Sequence, residues 1–178
     1  MDINGHEMPL ADLAGKVTVI VNVASQCGYT DANYKGLQTA YAKYQDFGLE
    51  ILAFPCNQAR RRPCPALPRQ TPALPSPFAT ERYAATFPLM AKVDVNGEHQ
   101  HPVFAWLKAN APAPPGRQQG GDLAWNFEKF LVDKGGRAIK RYGSGAQQQE
   151  TNFDLHHLAL FSSPPSPPPP PLPPSLQT

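Results

Sequence analysis

The sequence of 178 residues predicts an α/β domain in which a buried sheet is flanked by helices. Three observations carry this prediction: an unbroken apolar run at 17–23, a helical spacing of apolar residues from Thr30, and a second apolar run at 49–55. A strand, a helix and a strand in that order form a βαβ unit. Its two strands are therefore expected to be parallel and connected right-handedly.

The first run, Val17 to Val23, is β-branched at nearly every position and apolar on both alternating faces, which is typical of a strand covered on two sides. The following segment repeats large apolar residues at intervals of three, four and three, at Tyr34, Leu37, Tyr41 and Tyr44. We expect this helix to be capped by Thr30 and to stop at Gly48. "LEILAFP" at 49–55 predicts the second strand.

A later stretch, "AWNFEKFLVDKGGRAIKRYG", predicts a β-hairpin because Lys134-Gly135-Gly136 separates two apolar-rich runs. Trp125 and Asn126 then lie at the entrance of a strand and face the turn that carries Cys27. "TNFDLHHLALF" at 151–161 predicts a last helix, capped by Thr151 or Asn152.

Cys27 lies in the turn between the first strand and the first helix. Unpaired backbone N–H groups and the helix dipole favour an anion at such a position, and the thiolate is the nucleophilic form of cysteine. The alternative is that Cys27 is a small buried apolar residue, as most isolated cysteines are. Position alone leaves both interpretations open.

Four segments resemble, in order, the signature segments of the glutathione peroxidase family, including its phospholipid-hydroperoxide and plant or algal thioredoxin-using branches. They are "NVASQCGYT" at 22–30, "LEILAFPCNQ" at 49–58, "FPLMAKVDVNG" at 87–97 and "WNFEKFLVDKGGRAIKRYG" at 125–143. The resemblance spans roughly residues 2 to 58 and 78 to 143.

This resemblance implies a thioredoxin-like fold with a central mixed sheet, and an enzyme that reduces hydroperoxides. It implies that Cys27 is the peroxidatic residue and that Trp125 and Asn126 donate hydrogen bonds to its sulfur. Both groups are neutral donors, which favour the charged form of a thiol. Without the surrounding motifs, Trp125 would be interpreted as a core aromatic residue.

The family has a site glutamine a few residues after the segment that matches "FPCNQ". Here the chain reads "ARRRPCPALPRQTPALPSP" at 59–77, and Arg62 stands where the glutamine is expected. Gln58 and Gln70 are candidate replacements, although no spacing supports either. The many prolines disfavour the helix that the family begins here. A spliced-in or frame-shifted segment is therefore one hypothesis.

The resolving cysteine of the thioredoxin-using branch is also missing, because the matching residue is Thr80. Cys56 follows a predicted buried strand and is interpreted as a packed thiol in preference to a reactive one. Cys64 lies in the proline- and arginine-rich insert. It is interpreted as a surface cysteine, with an improvised resolving thiol as the alternative.

Composition sets the remaining expectations. We expect one domain at 1–161 and a proline-rich tail at 162–178, disordered by default and able to bind an SH3- or WW-type groove. A net charge of +2 does not indicate nucleic-acid binding, and no run is apolar enough to span a membrane. We expect a monomer in the reducing cytoplasm, because the polar N-terminus has no signal-peptide pattern and the cysteines form no disulfide framework.

No bound cofactor or metal is expected. The pairs His99/His101 and His156/His157 lack cysteine or carboxylate companions at ligand spacing, so they are interpreted as exposed loop and helix histidines. The basic cluster Arg60, Arg61, Arg62 and Arg69 could attract anionic headgroups or glutathione carboxylates, although a solvated loop is favoured.

Two functional hypotheses follow. In the first, the Cys27 thiolate reduces hydrogen peroxide and organic or lipid hydroperoxides, becomes a sulfenic acid and is regenerated by glutathione or thioredoxin, which makes the protein an antioxidant enzyme. In the second, a catalytically impaired thioredoxin-fold protein acts as a redox sensor or binding module. The intact Cys27, Trp125 and Asn126 favour the first hypothesis, and the 59–77 replacement favours the second.

Overall fold

The computed structural model describes residues 1–58 and 76–144. Its strands are β1 (Val17–Val23), β2 (Leu49–Pro55), β3 (Lys129–Val132) and β4 (Ala138–Tyr142), and its α-helices are α1 (Thr30–Tyr44), α2 (Ser76–Tyr83) and α3 (Pro102–Asn110). Short 3₁₀ helices cover Leu10–Leu13 and Gln45–Phe47. The predicted strands at 17–23 and 49–55 are confirmed with the same bounds.

The strands form one mixed four-stranded sheet in the order β2-β1-β3-β4. β1 and β2 are parallel, in register from Val17 opposite Leu49 to Val23 opposite Pro55, as the βαβ pattern predicts. β3 is antiparallel to β1 and pairs with β4 as the predicted hairpin. The end of β1 and the beginning of β3 therefore lie at the same edge of the sheet.

Each face of the sheet has its own hydrophobic core, which explains why β1 is apolar at nearly every position. One core packs β1 residues such as Val19 and Val21 against α1 and α2, through Tyr34, Leu37 and Tyr83 among others. The second core packs Ile20, Leu52 and Phe130 against α3, through Phe104 and Leu107. Alternating side chains of one strand point to opposite faces, so a strand covered on both faces must be apolar throughout.

The two predicted ends of the first helix have different outcomes. Gly48 has φ of 86° and ends the 3₁₀ turn that follows α1, as predicted. Thr30, in contrast, is the first residue of α1, and Tyr29 occupies the N-cap position without a side-chain cap. The Thr30 hydroxyl instead accepts from the N–H of Cys27 at 3.1 Å and donates to the carbonyl of Ala24 at 3.0 Å. It therefore braces the turn before the helix.

His101 also differs from its prediction as an exposed loop residue. It is the N-cap of α3, and its Nδ1 accepts from the N–H of Val103 at 3.3 Å. An acceptor nitrogen requires the neutral ring, and burial, with a smaller contribution from the charged N-terminus, lowers the pKa of His101. Neutral His101 is thus suited to this cap.

Several predictions fall outside the described residues. These are the nature of the replaced segment at 59–77, of which only the last two residues are described, as the start of α2, the last helix at 151–161 with its histidine pair, and the proline-rich tail at 162–178. The domain boundary at 161 likewise stays a prediction. Within residues 1–58 and 76–144, no helix has the length and apolarity needed to cross a membrane.

Gly48 provides a test of the junction between α1 and β2. Its left-handed backbone disfavours a side chain, so Gly48→Ala should lower the free energy of unfolding by about 1 kcal/mol, measured by urea titration. Gly143→Ala is the matched control, because Gly143 has no left-handed backbone and open space around a Cβ. Equal losses in the two variants would show that the backbone conformation of Gly48 does not matter.

Candidate active site

Cys27 lies in the turn between the end of β1 and the beginning of α1, as predicted. Its side chain is partly buried and packs against the core that α1 and α2 form over the sheet. Its carbonyl accepts from the N–H of Thr30 at 3.0 Å, and its N–H donates to the Thr30 hydroxyl. These two hydrogen bonds fix the backbone of Cys27 relative to the first turn of α1.

The surroundings of Cys27 can stabilise an anion. In the part of the chain that the structure describes, the N–H groups of Gly28 and Tyr29 donate to no other group. They precede a helix of fifteen residues, whose dipole places partial positive charge at this end. A thiolate here would meet unpaired donors as well as this dipole.

Trp125 and Asn126 lie at the same edge of the sheet as Cys27. Phe127, the next residue, donates its N–H to the carbonyl of Asn22 in β1 at 2.7 Å, so the segment before β3 crosses the end of β1. Asn126 is buried and Trp125 partly buried. The structure thus brings these two residues and Cys27 to one edge, although no hydrogen bond joins their side chains to Cys27 within the described residues.

The Asn22 side chain fastens this crossing segment to β1. Its Nδ2 donates to the carbonyl of Trp125 at 3.1 Å, and its Oδ1 accepts from the N–H of Glu128 at 2.9 Å. With the backbone bond to Phe127, Asn22 therefore holds three residues of the segment. Sequence reasoning did not identify Asn22, although a polar residue inside an otherwise apolar buried strand was a usable signal.

A buried ion pair between Glu128 and Arg141 also holds this segment. The Glu128 carboxylate accepts from Nε and Nη2 of Arg141 at 3.0 and 2.8 Å, and both side chains are almost fully buried. Glu128 also accepts from the N–H of Ala124 at 2.6 Å, while Arg141 donates to the carbonyls of Gly121 and Asp122 at 2.7 and 3.0 Å. The pair thus satisfies three backbone groups in the residues directly before Trp125.

Lys129 is a further buried charged residue that the sequence analysis did not identify. It lies opposite Val21 and is fully buried, and its Nζ donates to the carbonyl of Phe127 at 3.1 Å. No acidic side chain pairs with it among residues 1–58 and 76–144. Burial lowers the pKa of Lys129 from 10.5 to about 8, because removing an ammonium from water disfavours its charge.

Cys56 lies on the opposite face of the sheet from Cys27. It follows β2, packs in the core under α3 and accepts at Sγ from the N–H of Gln58 at 3.2 Å. The Gln58 side chain binds a different part of the chain, since its Oε1 accepts from the N–H groups of Val95 and Asn96 at 2.8 and 2.9 Å. The structure therefore supports the interpretation of Cys56 as a packed thiol and gives Gln58 a structural use.

The residues that depart from the family pattern are only partly described. Thr80 is exposed on α2 and brings no thiol to the position of the resolving cysteine. Arg62, Cys64 and Gln70 lie outside the described residues. Within the described ranges, no cluster of three or more His, Cys, Asp or Glu side chains could hold a metal ion.

Comparison with known proteins identifies the family. Residues 1–108 match the family model described as glutathione peroxidase. The chain belongs to the glutathione peroxidase family. The predicted fold and the predicted enzyme class, a thiol-dependent peroxidase, are confirmed with it.

Individual relatives agree with this assignment. The chain is 43% identical to a hydroperoxy fatty acid reductase of Synechocystis over 88% of this chain and 90% of the relative. It is also 43% identical to a probable phospholipid hydroperoxide glutathione peroxidase of Helianthus annuus, over 88% and 82%. The crystal structure of T. cruzi GPX1 matches with a TM-score of 0.66 at 35% identity, covering 89% of this chain and 91% of that one.

The buried ammonium of Lys129 predicts a pH dependence of stability. Between pH 8 and 10.5 the folded state loses this proton while the unfolded state keeps it, so the free energy of unfolding should rise with pH in that window. Below pH 8 both states are protonated and the contribution is constant. The full rise is up to about 3 kcal/mol.

Urea titrations at pH 7, 8, 9 and 10 measure this rise, which Lys129→Met should remove. Lys140→Met is the control, because Lys140 is an exposed lysine of the neighbouring strand β4 and its loss should leave the rise in place. If the wild-type and Lys129→Met stabilities ran parallel with pH, Lys129 would not titrate differently in the two states.

Proposed function

We propose that Cys27 is the nucleophile of this peroxidase and that Trp125 and Asn126 assist it. The observation that carries the proposal is the meeting of all three residues at one edge of the sheet, with Cys27 three residues before α1 and the Trp125–Asn126 segment tied to the end of β1. Neutral donors at this edge favour the thiolate and the oxygen that leaves with negative charge.

The proposed reaction has two halves. The Cys27 thiolate attacks one oxygen of a hydroperoxide, the O–O bond breaks, and the departing oxygen takes a proton to give water or an alcohol while Cys27 becomes a sulfenic acid. One thiol then condenses with the sulfenic acid and releases water, which leaves a mixed disulfide. A second thiol breaks that disulfide and regenerates Cys27.

We propose hydrogen peroxide and organic or lipid hydroperoxides as substrates, in keeping with the names of the relatives in Synechocystis and Helianthus annuus. Glutathione or a similar small thiol is the proposed reductant. Thr80 offers no sulfur at the resolving position, and Cys56 lies in the core on the other face of the sheet. Reduction by thioredoxin would require a second thiol, for which Cys64 is the remaining candidate.

The proposal includes no bound cofactor, because the sulfur itself is oxidised and the thiol supplies the electrons. We propose that the protein works as a monomer in a reducing compartment, the cytoplasm, where thiols remain available. The proline-rich stretch at 162–178 is proposed to bind an SH3- or WW-type domain, as expected of polyproline-II segments. Pull-down with the chain ending at 161 as control tests that last point.

Peroxide consumption by the purified protein, with glutathione and with thioredoxin supplied separately, tests the function. We expect turnover with glutathione, complete loss of turnover in Cys27→Ser, and a largely unchanged rate in Cys56→Ser. Wild-type turnover with thioredoxin alone would contradict the proposed reductant. An absence of turnover with either reductant would favour the impaired sensor or binding module.

The order of oxidation tests the nucleophile itself, independently of the reductant. Brief exposure to peroxide in the presence of a sulfenic-acid trap should label Cys27 before Cys56, because Cys27 is partly exposed beside a helix N-terminus and Cys56 is buried. Mass spectrometry of the labelled peptides measures this order. Equal early labelling of the two thiols would contradict the assignment.

A further inference from the structure

We propose that Asn22 is a positioning residue for the oxidation of Cys27. It acts by holding Trp125 and Asn126 in register with the strand that leads to Cys27. This inference rests on the proposed function, in which Cys27 is the nucleophile and Asn126 is one of its donors. Asn22 itself is fully enclosed in the interior, so it acts through the segment that it binds.

The hydrogen bonds of Asn22 are specific for an asparagine. Its amide nitrogen faces the Trp125 carbonyl and its amide oxygen faces the Glu128 N–H, at 3.1 and 2.9 Å. In the reverse orientation the amide NH₂ would face the Glu128 N–H, donor against donor, and the amide oxygen would face the Trp125 carbonyl, acceptor against acceptor. The hydrogen-bond partners therefore determine which atom of the amide is nitrogen and which is oxygen. Valine would satisfy neither group, and leaving such buried groups unpaired is costly.

The segment that Asn22 holds has an unfavourable backbone conformation. Phe127 has φ of 64°, in the left-handed region that a bulky residue rarely adopts. Its N–H is held by the carbonyl of Asn22 at 2.7 Å and its carbonyl by Nζ of Lys129 at 3.1 Å. Such strain persists only where surrounding contacts enforce it, and it is concentrated at functional sites. Here it lies directly after Asn126.

The connection from Asn22 to Cys27 is short and stiff. Asn22 is in β1, and the turn that follows is braced by the Thr30 hydroxyl, which bonds both Ala24 and Cys27. One strand end therefore fixes the position of the nucleophile and, through Asn22, that of the donors. Because a misplacement of about 1 Å can cost a hundredfold in rate, this common anchor bears directly on the reaction.

A mutant cycle tests whether Asn22 acts through Trp125 and Asn126. The quantity measured is the second-order rate constant for Cys27 oxidation by hydrogen peroxide, followed by quenching, trapping of the sulfenic acid and mass spectrometry. Asn22→Ala alone should slow oxidation by about ten- to a hundredfold. In a background that carries both Trp125→Phe and Asn126→Ala, the same change should alter the rate by no more than about twofold, since both donors to be positioned are gone.

Asp133→Ala is the matched control. The Asp133 side chain also binds backbone through two hydrogen bonds, accepting from the N–H groups of Gly135 and Arg137 at 2.9 Å each, in the hairpin turn at the other end of β3 from Trp125. Its loss should destabilise the protein comparably but keep oxidation within about twofold of wild type. If Asn22→Ala does not fold, Asn22→Asp replaces it: the size and the acceptor for Glu128 remain, while the donor to Trp125 is lost.

The outcomes separate this inference from the function on which it rests. If the background with Trp125→Phe and Asn126→Ala slows oxidation but the Asn22 variant does not, or if the two effects multiply, the positioning role is wrong and the proposed function stands. If wild-type Cys27 is not the thiol oxidised first, or if that background oxidises at the wild-type rate, the proposed site fails and the role of Asn22 fails with it.

Discussion

The site depends on one constraint: a chain segment without strand partners crosses the end of a sheet, and its backbone polar groups must still be hydrogen-bonded. Residues 121–128 precede β3 and pair with no strand, and Asn22, Glu128 and Arg141 supply the missing partners. Buried N–H and C=O groups are seldom left unpaired, so these side chains define the path of the segment. The path in turn determines where Trp125 and Asn126 lie.

The network contains three buried charged side chains, Glu128, Lys129 and Arg141, and burying a charge is costly unless it is paired. Glu128 and Arg141 pair with each other and hydrogen-bond three backbone groups, the N–H of Ala124 and the carbonyls of Gly121 and Asp122. The Lys129 ammonium contacts one carbonyl among the described residues. A buried ion pair adds little net stability compared with apolar residues of the same size. In this chain the pair also hydrogen-bonds the backbone of Gly121, Asp122 and Ala124, which ties the segment before Trp125 to β4.

The two-faced sheet separates the two described thiols. Cys27 packs on the side of α1 and α2, and Cys56 packs on the side of α3, with the strands between them. Neighbouring strand ends thus carry cysteines in different surroundings, one partly exposed beside a helix N-terminus and the other enclosed in the core. In the proposed reaction, Cys27 is therefore reduced by a thiol from outside the described part of the chain.

The sequence by itself determined the β1–α1–β2 unit, the hairpin and the position of Cys27 between strand and helix, because those features depend on local periodicity and on four recognisable segments. Tertiary structure alone decided that Asn22, Glu128, Lys129 and Arg141 fasten the Trp125–Asn126 segment, that Thr30 braces a turn in place of capping a helix, and that the two cysteines lie in separate cores. These contacts join residues as many as 106 positions apart. Hydrogen-bond partners across such distances follow from packing and strand register, which no local pattern encodes.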